Sequence, residues 1–462
     1  MPDSNQVAVI GAGISGLACA FRLQQLGVRV TLLEANERAG GLIDTIEKDG
    51  FLFESGPQSF QGTSTLFELI RQLGIEGELL KADPHAPRYI FLHGRLSKIP
   101  MSPQALLTSS LLGAGSRWRI ASERFRSSKP PSEEESVAAF VRRKFGHEIL
   151  EYLVAPFVSG VYAGDPEKLS LRAAFPTLNE WEREFGSVIR GAMKSRPAKA
   201  AGTGPPPLCS FRRGMGALMH ALAEKMEGSI RLGANVASVS RRIAGSGKGQ
   251  NYEIRFAQYG REATTAARAI VLAAPAYHTA NLIEPISRQL SKTLSGIAYA
   301  PVAVVANGYH AHQFASAPQG FGFLVPRTEK LRTLGTVFNS SLFQGRAREE
   351  QVAITSFVGG ATDPEFIDRT PEEISAIVQE EDGRVLGIAG PPIASAVWKH
   401  PRALPQYNLG HGHIVKAIRD VERELPGLFF AGNYLEGPAI GKCVEEAFKT
   451  AEAAQKYSQA SL

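Results

Sequence analysis

The sequence predicts an α/β fold, α+β overall, in which a nucleotide-type body receives a strand-rich domain and a helical domain as insertions. Three observations predict it. The first forty residues read strand, glycine turn, helix, strand. Short apolar runs of strand character recur over residues 230–272 and 296–398. Between these regions, residues 101–197 change character and carry apolar residues at helical spacing.

Residues 6–10 form an apolar run ending at Gly11-Ala12-Gly13-Ile14-Ser15-Gly16, and Leu17, Phe21, Leu23 and Leu26 then recur at helical spacing until Gly27. Such a turn serves a pyrophosphate. Gly11 makes the bend, Gly13 lets a ligand approach the backbone, and Gly16 lets helix and strand pack closely. Phosphate charge then rests on free N–H groups at the helix start. Residues 28–33 make the next strand, and Glu34, eighteen positions after Gly16, is placed to accept hydrogen bonds from ribose hydroxyls. The unit is a Rossmann-like dinucleotide site. Glu37-Arg38-Ala39-Gly40-Gly41 follows, with an arginine and two small residues able to close over a second face of the pyrophosphate. A plain turn before the next strand is the other reading of Gly40-Gly41.

Composition bounds the rest. At 462 residues the chain exceeds the size at which single cores split, so two or three domains are expected. Hydrophobic content of 44% and charged content of 21% fit an ordinary globular protein. The net charge of +6 is modest, with both signs interspersed, and does not call for nucleic acid. Cys19, Cys209 and Cys443 form no C-x-x-C pair, which disfavours a disulfide framework or zinc site and fits a reducing compartment. The histidine pairs His310/His312 and His411/His413 have no carboxylate or cysteine partners nearby in sequence, so no metal is expected. Met1 leads into the first strand within six residues, and no signal peptide or membrane span is expected.

Residues 51–60, Phe51 to Phe60 through Gly56-Pro57-Gln58, read as a strand running into a loop, and 66–73 as a short amphipathic helix. Residues 87–99 read as a hairpin with its turn at His93-Gly94-Arg95. Arg88 opens that hairpin, either as a surface arginine or as a carboxylate anchor projecting into a pocket. Leu106, Leu107, Leu111 and Leu112 precede Arg117, Trp118, Arg119, Arg124 and Arg126. Both a membrane-interface helix and a packed helix with a basic end fit this pattern. Ser132 with Glu135 has the spacing of a capping box for a helix reaching Phe145. Residues 153–170 are too apolar for a surface loop and too rich in Gly and Pro for one continuous helix. Residues 198–207 are the clearest linker.

Beyond the linker, residues 210–216 open a helix through Leu218, Leu222 and Met226, and 230–239, 252–256 and 268–272 are strands. A second strand-rich region holds 296–309, 320–326, 334–339 and 353–358, a helix from Pro371, and a strand at 394–398. Near the end, 428–433 is a strand ending in the turn Gly432-Asn433, and Gly441 opens a last helix with Val444, Ala447 and Phe448 inward.

The Arg38-Gly40-Gly41 run after the ribose acid resembles the FAD-dependent amine-oxidase-like flavoproteins. Within them, several segments resemble the protoporphyrinogen oxidase family: Gly56-Pro57-Gln58-Ser59-Phe60, residues 156–166, Gly320-Phe321-Gly322-Phe323-Leu324-Val325-Pro326, Trp398 through Leu404-Pro405-Gln406-Tyr407 to Gly410-His411, and Ala431-Gly432-Asn433. The similarity runs from about residue 5 to about 455. It implies an FAD-binding domain from 1–60, 206–280 and 395–462, a substrate-binding domain from 61–100 and 281–394, and a helical membrane-binding domain from 101–197.

The resemblance also implies oxidation of a porphyrinogen, with hydride passing to the flavin and electrons to dioxygen, so no catalytic side chain is expected. Gly11, Gly13, Ile14, Ser15, Gly16, Glu34, Arg38, Gly40, Gly41, Gly56, Pro57, Val236, Trp398, Gly432, Asn433, Ala439, Ile440 and Gly441 are the implied FAD contacts. Arg88 is implied to pair with a propionate and Phe321 to stack on a pyrrole ring. Gln58 joins them at the substrate side, although it departs from the asparagine common at its position. A cytoplasmic protein peripheral on the inner face of the cell membrane, and a homodimer, are further expectations. Coproporphyrinogen III as substrate, amine oxidation or carotenoid desaturation on the same scaffold, and a non-enzymatic flavin scaffold are the alternatives.

Overall fold

The computed structural model of the chain describes residues 6–195, 207–243 and 250–460. Of the linker expected at 198–207, all but residue 207 lies outside the described residues.

The nucleotide body is a five-stranded sheet in the order Ile230–Arg231, Arg29–Leu33, Gln6–Ile10, Ala269–Leu272, Leu428–Phe430, with every neighbouring pair parallel. A parallel sheet is covered on both faces, and the residues show it. Val7, Val9, Leu32 and Val271 pack under the helices Ile14–Gln25, Ser64–Leu73, Gly216–Lys225 and Ile440–Gln459. Ala8, Ile10, Ile270 and Leu272 pack on the other side against helices Ala276–Ile283, Arg288–Ser295 and His411–Glu424 and a three-stranded antiparallel sheet. Strand order reverses around Gln6–Ile10, so the crevice for a ligand opens at its carboxyl end, where the glycine turn lies. The strand expected at 230–239 divides instead at Gly233, whose φ of 66° turns the chain. Its first part joins the parallel sheet and Ala234–Ile243 starts the antiparallel one. Arg261–Ala267 is a strand that the sequence reading lacked.

The second body is a seven-stranded mixed sheet in the order Ala394–Pro405, Tyr299–His310, Gln351–Gly359, Thr333–Val337, Gly322–Leu324, Arg88–Leu92, Arg95–Lys98. Helix Pro371–Leu386 covers one face through Ile374 and Val378. The other face meets Phe51 and Phe53 of the nucleotide body and, through Ile90 and Leu92, the helical body.

Three expected domain boundaries move. Helix Ser64–Leu73 buries Leu66, Leu69, Ile70 and Leu73 in the nucleotide core, so the chain leaves that body after residue 82 rather than at 60. Leu282, Ile283, Leu290 and Leu294 keep the chain there to about residue 297. Strand Ala394–Pro405, assigned above to the FAD-binding domain from 395, is the edge of the seven-stranded sheet.

The helical body corrects one expectation, a helix cap. Helix Val137–Lys144 is capped by Ser136, whose Oγ accepts from the Ala139 N–H at 3.1 Å, and not by Ser132. The preceding acids are engaged elsewhere: Glu134 accepts from the Ser170 hydroxyl and Glu135 pairs with Arg143. As expected, 153–170 is not one continuous helix: the helical run covers 147–162, with a π turn over Leu150–Val154 ahead of Pro156, and stops at Ala163, whose φ of 47° is left-handed. A widened turn relieves the clash that proline imposes on the preceding carbonyl. The leucine group of the expected interface divides. Leu111 and Leu112 are buried with Ile120, whereas Leu107, Trp118 and Phe125 stay exposed. Among the described residues no helix is long and apolar enough to cross a membrane.

Candidate active site

The glycine turn builds a cradle by steric necessity. A Cβ on Gly16 would stand 1.8 Å from the Gly11 carbonyl oxygen, so only glycine lets the helix sit this close to the strand. Gly11 takes a φ of 102° with its Cα against the backbone of Ala273 and Ala274. At Gly13 the reverse holds: a Cβ would meet nothing within 4 Å. Gly13 is also the N-cap of helix Ile14–Gln25 without a side-chain cap, so the N–H groups of the first turn face open space. That is a cradle for an anion rather than a packed turn.

Glu34 closes one side. It is buried, accepts from the Ala12 N–H at 2.6 Å and from Asn36 N–H and Nδ2 at 2.9 and 2.7 Å, and so is held rigid at the strand end. Oε1 takes both Asn36 bonds, whereas Oε2 accepts only from Ala12 and keeps acceptor capacity for a ribose hydroxyl. Val236 lies behind it, since Gly233 and Ala234 bond the carbonyls of Asn36 and Glu34 at 2.9 and 2.7 Å. Gly40 N–H donates to Ala12 at 2.8 Å, and a Cβ on Gly41 would lie 3.4 Å from Gly13 Cα, so Gly40-Gly41 backs onto the cradle. Arg38 folds over its own loop, donating to the Gly41 carbonyl at 2.7 Å and lying 3.6 Å from Asp44. Residues 54–58 cross directly above: Ser55 N–H bonds Asp44 O at 2.9 Å, and Gly56 passes so close to Leu42 O that a Cβ there would sit at 2.4 Å.

The far end of the chain completes the site. Helix Ile440–Gln459 begins at Ala439 without a side-chain cap, and Gly441 packs against Thr63, where a Cβ would come within 2.6 Å. Cys443 lies against the Ser15 hydroxyl, so the first turns of the first and last helices are side by side. Gly432-Asn433 leads into that helix, and the Asn433 carbonyl accepts a hydrogen bond from the Tyr407 hydroxyl. Behind the 54–58 loop, Glu54 binds Thr45 Oγ1 at 2.5 Å and Met215 N–H at 2.9 Å and stands 3.5 Å from the fully buried Arg346. Burial raises the Glu54 carboxyl pKa, and Arg346 pulls it back.

The substrate-side residues share the inner face of the seven-stranded sheet. Arg88 pairs in register with Gly322, and its guanidinium lies over the Phe321 ring at 5.0 Å. Among the described residues no carboxylate pairs with Arg88. Register places Trp398, Val304, Phe357, Gly335, Leu324 and Ile90 in one row across six strands. Val337, Leu324 and Phe357 remain half-buried within otherwise largely buried strands, and Trp398 is half-buried on the edge strand, which marks an apolar surface open to a ligand. Helix Ala155–Tyr162 roofs it: a Cβ on Gly160 would lie 2.5 Å from Leu324 Cδ2, and Phe157 and Val161 are exposed on the same helix. Trp398 touches both this row and the Phe51–Phe53 cluster, at the border with the nucleotide body. Gln58 stands apart from the open face. It is buried, donates to Gly56 O at 2.8 Å and accepts from Asn339 Nδ2 at 2.6 Å, which braces the 54–58 loop against the sheet.

Leu324, Val337 and Phe357 were not singled out from the sequence. Their signal was alternation along short strands, which gives a face but not which face holds a ligand.

Comparison with known proteins bears on this geometry. The model of a family described as flavin containing amine oxidoreductase matches residues 14–455. The chain belongs to that family. Among curated relatives, protoporphyrinogen oxidase of the tobacco chloroplast (Nicotiana tabacum) is 34% identical over 96% of this chain and 84% of its own length. Coproporphyrinogen III oxidase of Bacillus subtilis (strain 168) is 27% identical over 95% of this chain and 96% of its own. A crystal structure from Exiguobacterium sp. 255-15 superposes with a TM-score of 0.83 at 24% identity, covering 98% of this chain and 99% of that one. As a flavin containing amine oxidoreductase the chain is an FAD-dependent enzyme, and the open cradle at Gly13, the rigid Glu34 and the uncapped helix at Ala439 fit that cofactor.

Proposed function

We propose that the chain oxidises protoporphyrinogen IX to protoporphyrin IX in porphyrin biosynthesis, removing six electrons and reducing three dioxygen molecules to three of hydrogen peroxide. The observation that carries this reading is the guanidinium of Arg88, without a carboxylate partner among the described residues and stacked on Phe321, at the border of an apolar row that runs to the nucleotide body. A tetrapyrrole with few carboxylates needs that combination: a broad apolar floor and a cation for a propionate.

Bound FAD supplies hydride acceptance and the reaction with dioxygen. Arg88 orients the substrate through a charge-assisted hydrogen bond worth roughly 1.5–3 kcal/mol. Leu324, Val337 and Phe357 exclude water from one face of the macrocycle, and helix Ala155–Tyr162, packed on Leu324, closes one end of the row. The uncapped N–H groups after Ala439 favour negative charge on a ring system lying against them by ~1 kcal/mol. No side chain needs to serve as nucleophile.

Coproporphyrinogen III is the second reading, favoured by the Bacillus subtilis relative. The apolar row supports the first, since four carboxylates would have to be met there. Attachment to the inner face of the cell membrane is part of the proposal. It is supported by Trp118 and Phe125, 63% and 74% exposed, with Arg126 and Arg124 stacked on their rings. A homodimer rests on the sequence resemblance alone, and sedimentation velocity decides it. Aerobic turnover of protoporphyrinogen IX tests the activity: fluorescent protoporphyrin and about three peroxides per porphyrin are expected, and absence of product overturns the reading.

A further inference from the structure

The segment from Gln406 to His411 lies where the three bodies meet, and the chemistry proposed above makes no use of it. Tyr407 is 1% exposed, and its hydroxyl donates to the Asn433 carbonyl in the turn that enters the last helix. Its ring is edge-on to Tyr162 at 6.0 Å and to His411 at 4.7 Å. Neighbouring groups tie the same segment to the helical body. Gln406 Nε2 donates to the Tyr162 carbonyl at 2.9 Å, and Ser170 N–H donates to the Tyr407 carbonyl at 2.8 Å. His411 is buried beside the carbonyls of Tyr434 and Leu435, the residues that follow Asn433 in the same turn.

We infer that Tyr407 is a positioning residue for the flavin, fixing the Asn433 peptide and coupling the entry to the last helix with the helix that roofs the substrate row. The inference rests on the assignment of FAD to this site. A buried tyrosine needs a partner for its hydroxyl, and here that partner is a backbone carbonyl of the turn rather than a core group. Displacing that peptide moves the helix start, whose partial charge bears on the reduced cofactor. Loss of the hydrogen bond changes the electronics of the cofactor before it changes the fold.

The test uses the full-length holoenzyme carrying Tyr407→Phe, with Tyr162→Phe as control. Tyr162 is in the same aromatic cluster, but its hydroxyl donates to Ala174 O at 3.0 Å, away from the turn. The readouts are the visible flavin spectrum and the midpoint potential from anaerobic dithionite titration against a redox dye, neither of which needs a porphyrinogen. Tyr407→Phe is expected to retain FAD, shift the potential to more negative values, and slow flavin reduction by substrate roughly threefold to tenfold at unchanged KM. Tyr162→Phe is expected to leave the potential in place. Site-specific 3-fluorotyrosine in place of Tyr407, a stronger donor, shifts the potential the opposite way and keeps the question open to measurement if Tyr407→Phe does not fold. A wild-type potential in both Tyr407 proteins, or an equal shift from Tyr162→Phe, overturns the inference. A protein that never binds flavin instead overturns the cofactor assignment on which it rests.

Discussion

Gly13 and Gly16 are three residues apart in one turn, yet substitution at the two should fail in opposite ways. At Gly13 the backbone is extended, φ −71° and ψ −179°, a conformation open to any residue, and an added Cβ meets no atom within 4 Å. Replacing this glycine reduces the entropy of the unfolded chain, so the flavin-free protein should be unchanged or stabilised by about 0.4–1 kcal/mol. Gly13→Val nonetheless fills the space before the uncapped N–H groups. Removing one charge-assisted contact to a pyrophosphate costs at least about 2 kcal/mol, which weakens FAD binding roughly thirtyfold or more. Gly16→Ala places its methyl 1.8 Å from Gly11 O and 3.2 Å from Ala273 Cβ, so strand and helix must separate. Overpacking of this kind costs about 1–3 kcal/mol in stability whether or not flavin is present. Urea denaturation of the flavin-free proteins and fluorescence titration with FAD separate the two effects. Wild-type FAD affinity in Gly13→Val, or a flavin-free Gly13→Val as unstable as Gly16→Ala, refutes the reasoning.

Further predictions concern the substrate side, the sheet and the helical body. Arg88→Ala should raise KM for porphyrinogen roughly tenfold to hundredfold while flavin content stays at the wild-type level; steady-state kinetics with an unchanged KM sinks its role. Asp382 is buried on hydroxyls of Thr336 and Ser356 at 3.0 and 2.7 Å, and burial pushes its pKa from 3.8 up to about 7. The folded state therefore holds a proton that the unfolded chain releases, so this stability is full below about pH 4 and is lost as pH rises through about 7. Asp382→Asn should abolish that slope, which amounts to roughly 3–4 kcal/mol, and melt higher than wild type at pH 8; an unaltered pH dependence of Tm counts against a neutral Asp382. Trp118→Ser with Phe125→Ser should lower cosedimentation with anionic phospholipid vesicles at constant turnover of dispersed substrate, and equal binding removes these rings from any membrane contact.

The nucleotide site was legible because its physics is local. Gly11 to Glu34 lie within one strand–turn–helix–strand unit; Gly16 is required by a contact inside it and Gly13 by the need to leave space, whereas Gly11 answers to backbone from outside, at Ala273 and Ala274. The substrate side was legible only in part. Arg88 and Phe321 were found through resemblance, and strand register then placed them together. Leu324, Val337 and Phe357 acquire their role only when their three strands align with Arg88–Leu92, far away in sequence. Gln58, a polar residue in a matching motif, has its amide engaged within the fold on Gly56 and Asn339, which only the structure displays. The domain boundaries slipped for a related reason. The segments 64–73 and 282–294 carry apolar faces that fit any core, and only packing shows that both choose the nucleotide body. The Gly- and Pro-rich stretch 153–170 is not one helix, as its composition implies, but a π turn carries the helix across Pro156 as far as Tyr162.

In the function proposed above, flavin held by the two ends of the chain takes electrons from a porphyrinogen lying on the row from Arg88 to Trp398. Anaerobic mixing of the holoenzyme with protoporphyrinogen IX, coproporphyrinogen III and a panel of amines, followed by the bleaching of the flavin absorption, tests it most directly. Rapid bleaching by protoporphyrinogen IX, slower bleaching by coproporphyrinogen III and none by amines is the predicted result. Bleaching by an amine with no response to either porphyrinogen contradicts the account.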